Sequence, residues 1–417
     1  MQLERVEREL TESLRDRSET LVSRGVEWAS IASGSRDLTG LARQLDALEA
    51  AFGRLPGRTE CMLLQPTQDV DGEGRPVRWE HGEALRVTVR PEAPIQVALT
   101  GHFDTVYGPD SGFRVVQQRA DGALNGPGIA DMKGGLSVML GALEAFESFE
   151  GREAVGYCVL LSPDEEVGSL ASAPLLAELA VSAHVGLTYE PALGEAGTLA
   201  SSRKGSGNFA LAVHGRAAHA GRDFAAGRNA VAAAARLAAA LDGLNDRLGG
   251  VTVNVARIEG GGALNVVPGA AVVRFNVRVA DKAGSRWIEE QVAKAMAAAA
   301  EEDGITVTRH GGFTRPPKPV NAAQRALFAG VQAAGEDLGT ELDWAPSGGV
   351  CEGNNLFAAG LPNLDTLGVR GGAIHSEAEF AWPDSFAERA ALSAVVLARA
   401  ASGRIDARAI RAMMDEA

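Results

Sequence analysis

Cysteine is scarce in this sequence. Cys61, Cys158 and Cys351 are the whole complement, odd in number and far apart. They offer neither a disulfide framework nor a Cys-x-x-Cys zinc pattern. Positive charge is also short: 40 Lys and Arg stand against 54 Asp and Glu, a formal net charge of −14. Nucleic acid and anionic membranes both reward clustered basic residues, so neither is expected as a partner. No apolar run resembles a membrane span. The opening stretch, "MQLERVERELTESLRDRSETLVSRGVEW", is charged and lacks the apolar core of a secretory signal. The expectation is a reduced, cytoplasmic protein.

What is present is ordinary for a globular chain, with 46% hydrophobic and 23% charged residues. A length of 417 residues exceeds one comfortable core and favours two domains. Leu3, Val6, Leu10, Leu14, Leu21 and Val22 recur at helical spacing. "LTGLARQLDALEAAFGRL" continues as a second helix. Strands "ALRVTVR", "IQVALTG", "AVGYCVLLS" and "AHVGLTYE" then alternate with helices "GGLSVMLGALEAF" and "SAPLLAELA". That alternation implies an α/β fold with a mixed, mostly parallel sheet sandwiched by helices.

Near residue 203 the character changes. "GNFALAVHG", "NAVAAAARLAAALDGL", "GGVTVNVARIEG", "AVVRFNVRV", "SRWIEEQVAKAMAAAAEE" and "GITVTRH" run in the order β-α-β-β-α-β. This is the order of a ferredoxin-like α+β unit. The Pro-rich "TRPPKPV" marks a hinge, and the α/β pattern resumes with helix "AAQRALFAGVQAA", strand "NLDTLGVR" and a helix from Asp384 to about Gly403. A catalytic domain in two parts, residues 1–202 and 315–417, is thus expected to be interrupted by an inserted domain, 203–314. "GEGRPVRWEHGE" reads as a hairpin turn.

Open α/β sheets place ligands beyond the carboxyl ends of their strands. His102 and Asp104 follow "IQVALTG". Asp131 follows "LNGPGIA", Glu165 and Glu166 follow "VGYCVLLS", Glu190 follows "VGLTY", and His375 follows "LDTLGVRGGA". Taken alone, His102 and Asp104 read as capping or surface residues, and Glu165–Glu166 as a solvated acidic turn at a helix start. Together the segments fit a pair of metal ions. Zinc takes imidazole nitrogen and carboxylate oxygen, and a bridged pair is satisfied by His102, Asp131, Glu166, Glu190 and His375. A bare carboxylate cluster would repel itself, a penalty that metal removes. Asp104 can then fix the tautomer of His102. Glu165 is left to act as general base on metal-bound water.

The motifs "GHFDTVY", "GPGIADMKGG", "SPDEEVGS", "YEP", "RAAHAG", "LNVVPGAA" and "AIHSEAEF" jointly resemble the zinc-dependent amidohydrolases and exopeptidases. That family includes glutamate carboxypeptidase, acetylornithine deacetylase, succinyl-diaminopimelate desuccinylase and aminoacylase. "GHFDTVY" is most similar to the glutamate carboxypeptidase branch. The resemblance implies two zinc ions per subunit, with cobalt or manganese permitted by the same ligands. His102 and Glu190 would hold one ion and Glu166 and His375 the other. Asp131 would bridge them and precede a cis bond to Met132. Glu190 matches carboxypeptidase-like and deacylase members, whereas tripeptide aminopeptidases carry aspartate there. The inserted domain would serve as lid and dimerisation surface. His219 would reach the partner subunit's site and stabilise an oxyanion. Asn265 would contact substrate, and Arg278 and Arg315 a substrate carboxylate, which the planar guanidinium can grip through two hydrogen bonds. In "SGGVCEGNN", Glu352 replaces the family's more frequent aspartate, which leaves the metal set intact and the substrate open.

The expected function is hydrolysis of an amide bond beside a free carboxylate, on a peptide or N-acyl amino acid, by a homodimer. The rival readings are a metal-dependent di- or tripeptide aminopeptidase and a non-catalytic ligand-binding homologue. Cys351 and the remaining histidines, His81, His184, His214 and His310, are expected to be structural or exposed.

Overall fold

A computed structural model describes residues 3–414. The chain divides into two compact units. The first comprises residues up to Gln65, His81–Ser202 and Val320 onward; the second comprises Pro66–Glu80 and Arg203–Pro319. No helix among the described residues is long and apolar enough to cross a membrane.

A six-stranded sheet organises the first unit. Its order is Arg58–Met62, Ala84–Val89, Val155–Ser162, Ile95–His102, Val185–Thr188, Asn363–Leu364. Only Ala84–Val89 runs against its neighbours; the remaining pairings are parallel. Successive strand residues point to opposite faces. Val97 and Leu99 therefore enter one core with helices Arg5–Asp16, Ser18–Ala29, Leu38–Phe52, Gly134–Phe146 and Asp384–Ala401, while Ala98 enters another with Ala173–Ser182 and Glu352–Ala358. Both faces are covered, which is why the central strands read as continuous apolar runs. The first helical stretch breaks at Arg17 into two helices. Asp37 and Asn321 cap helices by accepting from the backbone N–H groups of Gly40 and Gln324.

Gly135 sets the depth of helix Gly134–Phe146. A Cβ there would lie 2.0 Å from the carbonyl oxygen of Tyr189. Any side chain would push the helix, and Asp131 just before it, away from Glu190.

Helix Asp384–Ala401 carries a buried ion cluster. Arg399 donates to Glu7 at 2.8 Å and to Asp337 at 2.7 Å, and Arg404 also reaches Glu7 at 2.8 Å. Burial alone would raise both carboxyls, but Arg399 holds each below its ordinary value. A depressed carboxylate contributes stability above its unfolded pKa and loses it as pH falls. Arg399→Leu leaves Glu7 and Asp337 with Arg404 alone of this cluster's guanidinium groups, at 2.8 and 3.7 Å, and is expected to cost less than the roughly 3–5 kcal/mol of a fully unpaired buried charge at pH 7. The less compensated carboxyls then favour protonation, so the deficit should shrink by pH 5. Urea midpoints at both pH values test this; an equal deficit at both would show that packing, not charge, dominates.

The second unit is an antiparallel sheet ordered Thr252–Gly260, Ala270–Val279, Gly205–His214, Thr306–Arg315. Helices Ala230–Asp242 and Lys282–Ala300 cover one face. Ala230, Ala233, Ala234, Leu237, Ala238 and Leu241 form the buried stripe of the first of these, so its alanines permit close packing. The expected hairpin forms as Thr67–Val70 against Pro76–Trp79 and belongs to this unit. Val70 packs with Ala210, Ala212 and Val272 on the other sheet face. Arg274 fastens it, donating to Glu259 at 2.7 Å and Asp69 at 3.2 Å.

Candidate metal centre

His102 ends the central strand Ile95–His102 and is 1% exposed. Its Nε2 lies 3.1 Å from one oxygen of Asp131 and 3.7 Å from Glu190. The other oxygen of Asp131 lies 3.3 Å from His375 Nε2, which is also 3.2 Å from Glu166. Two donor groups result, His102–Asp131–Glu190 and Asp131–Glu166–His375, each with donor atoms within 4.8 Å of one another. Asp131 belongs to both. All five proposed ligands thus meet at one sheet edge.

Backbone geometry aims these groups. The Asp131–Met132 peptide bond is cis. His375 has φ 62°, in the left-handed region that few non-glycine residues adopt. That turn directs the ring inward from an exposed loop.

Asp104 does more than orient His102. Its carboxylate is 3.3 Å from His102 Nδ1, and its backbone carbonyl is 3.1 Å from the same nitrogen. The carboxylate also accepts from the backbone N–H groups of Glu165 and Glu166, both at 3.1 Å, and from Ser35 Oγ at 2.6 Å. One buried side chain therefore holds a histidine and the Glu165–Glu166 turn together. Glu165 belongs to neither donor group and remains partly accessible beside them.

Electrostatics show what the cluster lacks. Burial would lower the pKa of His102, yet Asp104 and Asp131 raise it well above its usual value. Asp131 and Glu166 lift His375 to about 10. Burial and the nearby Asp131 charge push Glu166 up to about 8. Asp131 is driven down by the two imidazoles despite its burial. Three carboxylates thus compete for positive charge that two histidines supply only by holding extra protons. Divalent cations would supply it directly, with oxygen and nitrogen donors suited to zinc. The residues fit the group the motifs imply.

Further contributors lie inside or beside the quoted motifs, where their partners could not be read. Glu379, buried, accepts from the backbone N–H groups of Gly128, Ala130 and Asp131. Tyr107 donates to Glu379 at 2.9 Å. Lys133 is buried and donates to the Ile31 carbonyl at 2.6 Å. Burial lowers its pKa to about 7, against the charges of Glu379 and Asp104. Glu352 is buried and accepts from Ser162, the residue opposite His102 in the sheet register. It belongs to neither donor group. Cys351 is a buried helix cap, its sulfur accepting from the Gly353 N–H.

The other expected site residues lie in the second unit. His219 is exposed, and its Nδ1 accepts from the backbone N–H groups of Gly221 and Arg222. Asn265 is adjacent, its carbonyl accepting from the Ala220 N–H. Arg278 and Arg315 flank Ser206 in the sheet register, one on each side. Arg278 donates to Asn276 at 3.1 Å, and Arg315 is buried.

Residues 98–399 match the model of a family described as Peptidase family M20/M25/M40. Carboxypeptidase G2 from Pseudomonas sp. (strain RS-16) is 28% identical over 287 residues, covering 67% of each chain. A succinyl-diaminopimelate desuccinylase from Alkalilimnicola ehrlichii is 28% identical over 328 residues, covering 72% of this chain and 82% of that one. The di-peptidase Dug1p from Saccharomyces cerevisiae has a similar fold, with TM-score 0.72 at 14% identity, covering 94% of this chain and 98% of that one.

Proposed function

Because the chain belongs to peptidase family M20/M25/M40 and is therefore a metallohydrolase, we propose that it cleaves an amide bond adjacent to a free carboxylate. The reaction type is that of a carboxypeptidase or an N-acyl-amino-acid deacylase. One observation carries the reading: the two oxygens of Asp131 face two separate histidine–carboxylate groups. We assign a zinc ion to each group, with cobalt or manganese compatible with the same donors. Bound there, the ions would polarise the scissile carbonyl and make a water acidic enough to lose its proton near neutral pH. Glu165 takes that proton and returns it to the leaving amine. Asp104 holds Glu165 in reach by its backbone N–H.

The second unit is assigned the roles of lid, dimerisation surface and substrate grip. Backbone donors occupy Nδ1 of His219, so the neutral ring carries its proton on Nε2, the form that can donate to an oxyanion. We assign that donor to the site of a second copy. Thr252–Gly260 is an edge strand, capped at Val253 by the Asn245 side chain, and we assign the rest of that edge to sheet pairing between copies. Arg278 and Arg315 suit the substrate carboxylate, with Asn265 beside His219 as a further contact.

Zinc-reconstituted protein assayed on N-acyl amino acids and dipeptides, each with a free or amidated C-terminus, tests the proposal. Two ions per chain and turnover confined to the free acids are expected, from a species of twice 43.3 kDa by light scattering. Turnover that instead requires a free α-amine and ignores C-terminal amidation would make the protein an aminopeptidase.

A further inference from the structure

The loop bearing His375 and the loop bearing Asp131 are far apart in sequence, yet one side chain ties them. Glu379, four residues after His375, is 1% exposed. One of its oxygens accepts from the N–H groups of Ala130 at 3.0 Å and Asp131 at 3.1 Å. The other accepts from the Gly128 N–H at 3.1 Å and from the Tyr107 hydroxyl at 2.9 Å. Tyr107 also lies 2.8 Å from the Ser376 carbonyl, one residue after His375. Asn125 adds a parallel fastening, donating to the carbonyls of Glu377 and Glu379 at 3.0 and 2.7 Å. Leu124–Asn125 also pairs with Phe380–Ala381 as short antiparallel strands.

This arrangement carries a charge cost. The Glu379 carboxylate is buried next to the Asp131 carboxylate, whose charge works against it. A neutral side chain would avoid that repulsion. Only a carboxylate, however, offers acceptor lone pairs on both atoms for four converging donors. Glutamine would turn one of those atoms into a donor facing N–H or O–H groups.

We propose that Glu379 is a positioning residue: its carboxylate sets the separation and aim of Asp131 and His375 and thereby the affinity for the ion that His375 helps to hold. The inference rests on the two-ion reading given above. Glu379 reaches no donor position itself; it acts through the backbone of Asp131 and the loop of His375. Its loss should therefore fall unevenly, on the Asp131–Glu166–His375 group more than on His102–Asp131–Glu190.

The test is a metal titration of stripped wild type and Glu379→Gln with Zn²⁺, read calorimetrically, and with Co²⁺, read by its visible spectrum. One ion is expected to bind Glu379→Gln nearly as in wild type and the other about 10–100-fold more weakly. The Co²⁺ spectrum of the weaker ion should change, and kcat should fall with KM nearly unchanged. Two ions bound with wild-type affinities and spectra would overturn the inference. Should Glu379→Gln fail to fold, Tyr107→Phe removes one donor and the link to Ser376. It should weaken the same ion several-fold while circular dichroism stays at wild type; unchanged affinity would overturn the inference. Wild type that binds fewer than two ions would overturn the two-ion reading and this inference with it. Wild type that binds two ions, matched by Glu379→Gln, would overturn this inference alone.

Discussion

Glu165→Gln is expected to lower turnover by about 10²- to 10⁴-fold, the usual contribution of a positioned acid–base group. Metal content should remain that of wild type. The split follows from geometry. Glu165 contributes no atom to either donor group. Its backbone, not its side chain, is what Asp104 holds. Glutamine keeps the volume and the backbone hydrogen bond but cannot take a proton. Steady-state assay with metal analysis of the same sample decides the matter. Full turnover would remove Glu165 from the mechanism, and loss of metal would make it a ligand instead.

The second large effect separates His102 from Asp104. His102→Ala should empty the ion site it shares with Glu190, because no other imidazole lies in that group. Asp104→Asn should weaken the same ion by only about 10–100-fold, the range for partners that orient a ligand. The difference has a visible cause. The Asp104 backbone carbonyl also lies within reach of His102 Nδ1, and substitution leaves it in place. Asp104→Asn carries a second cost, because an amide nitrogen would face one of the N–H groups of Glu165 and Glu166. Turnover should therefore fall beyond what restored metal can recover. Assay at saturating Zn²⁺ checks this; complete recovery would confine Asp104 to orienting the histidine.

Three candidate ligands were legible because strand ends are: His102, Glu166 and Glu190 lie just past buried apolar strands, and such runs are visible in one dimension. Asp131, in a kinked turn, and His375, in a loop, follow no such strand. Side chains that bind backbone were not legible. Ser35 leaves no pattern, and Glu379, though inside "AIHSEAEF", gives no sign there of its partners, since the N–H groups that Glu379 collects and the carboxylate that Ser35 reaches come from distant segments. The strand read over "NLDTLGVR" shortens to Asn363–Leu364. Thr366 adopts φ 66°, which ends extended pairing before the apolar pattern does. The first helical stretch has helical periodicity throughout, and across its break at Arg17 Leu10, Leu14 and Leu21 stay buried while Leu3, Val6 and Val22 are partly so. The hairpin at residues 67–79 was legible as a hairpin. Its membership of the second unit was not, because that depends on the packing of Val70 against strands more than a hundred residues later.

Helix Asp384–Ala401 bears on how the protein is made. It is buried along almost its whole length and packs against Gly134–Phe146 and Arg5–Asp16. Its Arg399 closes on Glu7 across a separation of 392 residues. During synthesis the face of Arg5–Asp16 that this helix covers therefore waits for nearly the entire chain, whereas Ser18–Ala29 can pack on Gly134–Phe146 much earlier. The second unit has all its strands and helices once residue 319 has emerged. The active sheet is thus the last part to become dry, and it is the part a chaperone would have to shield.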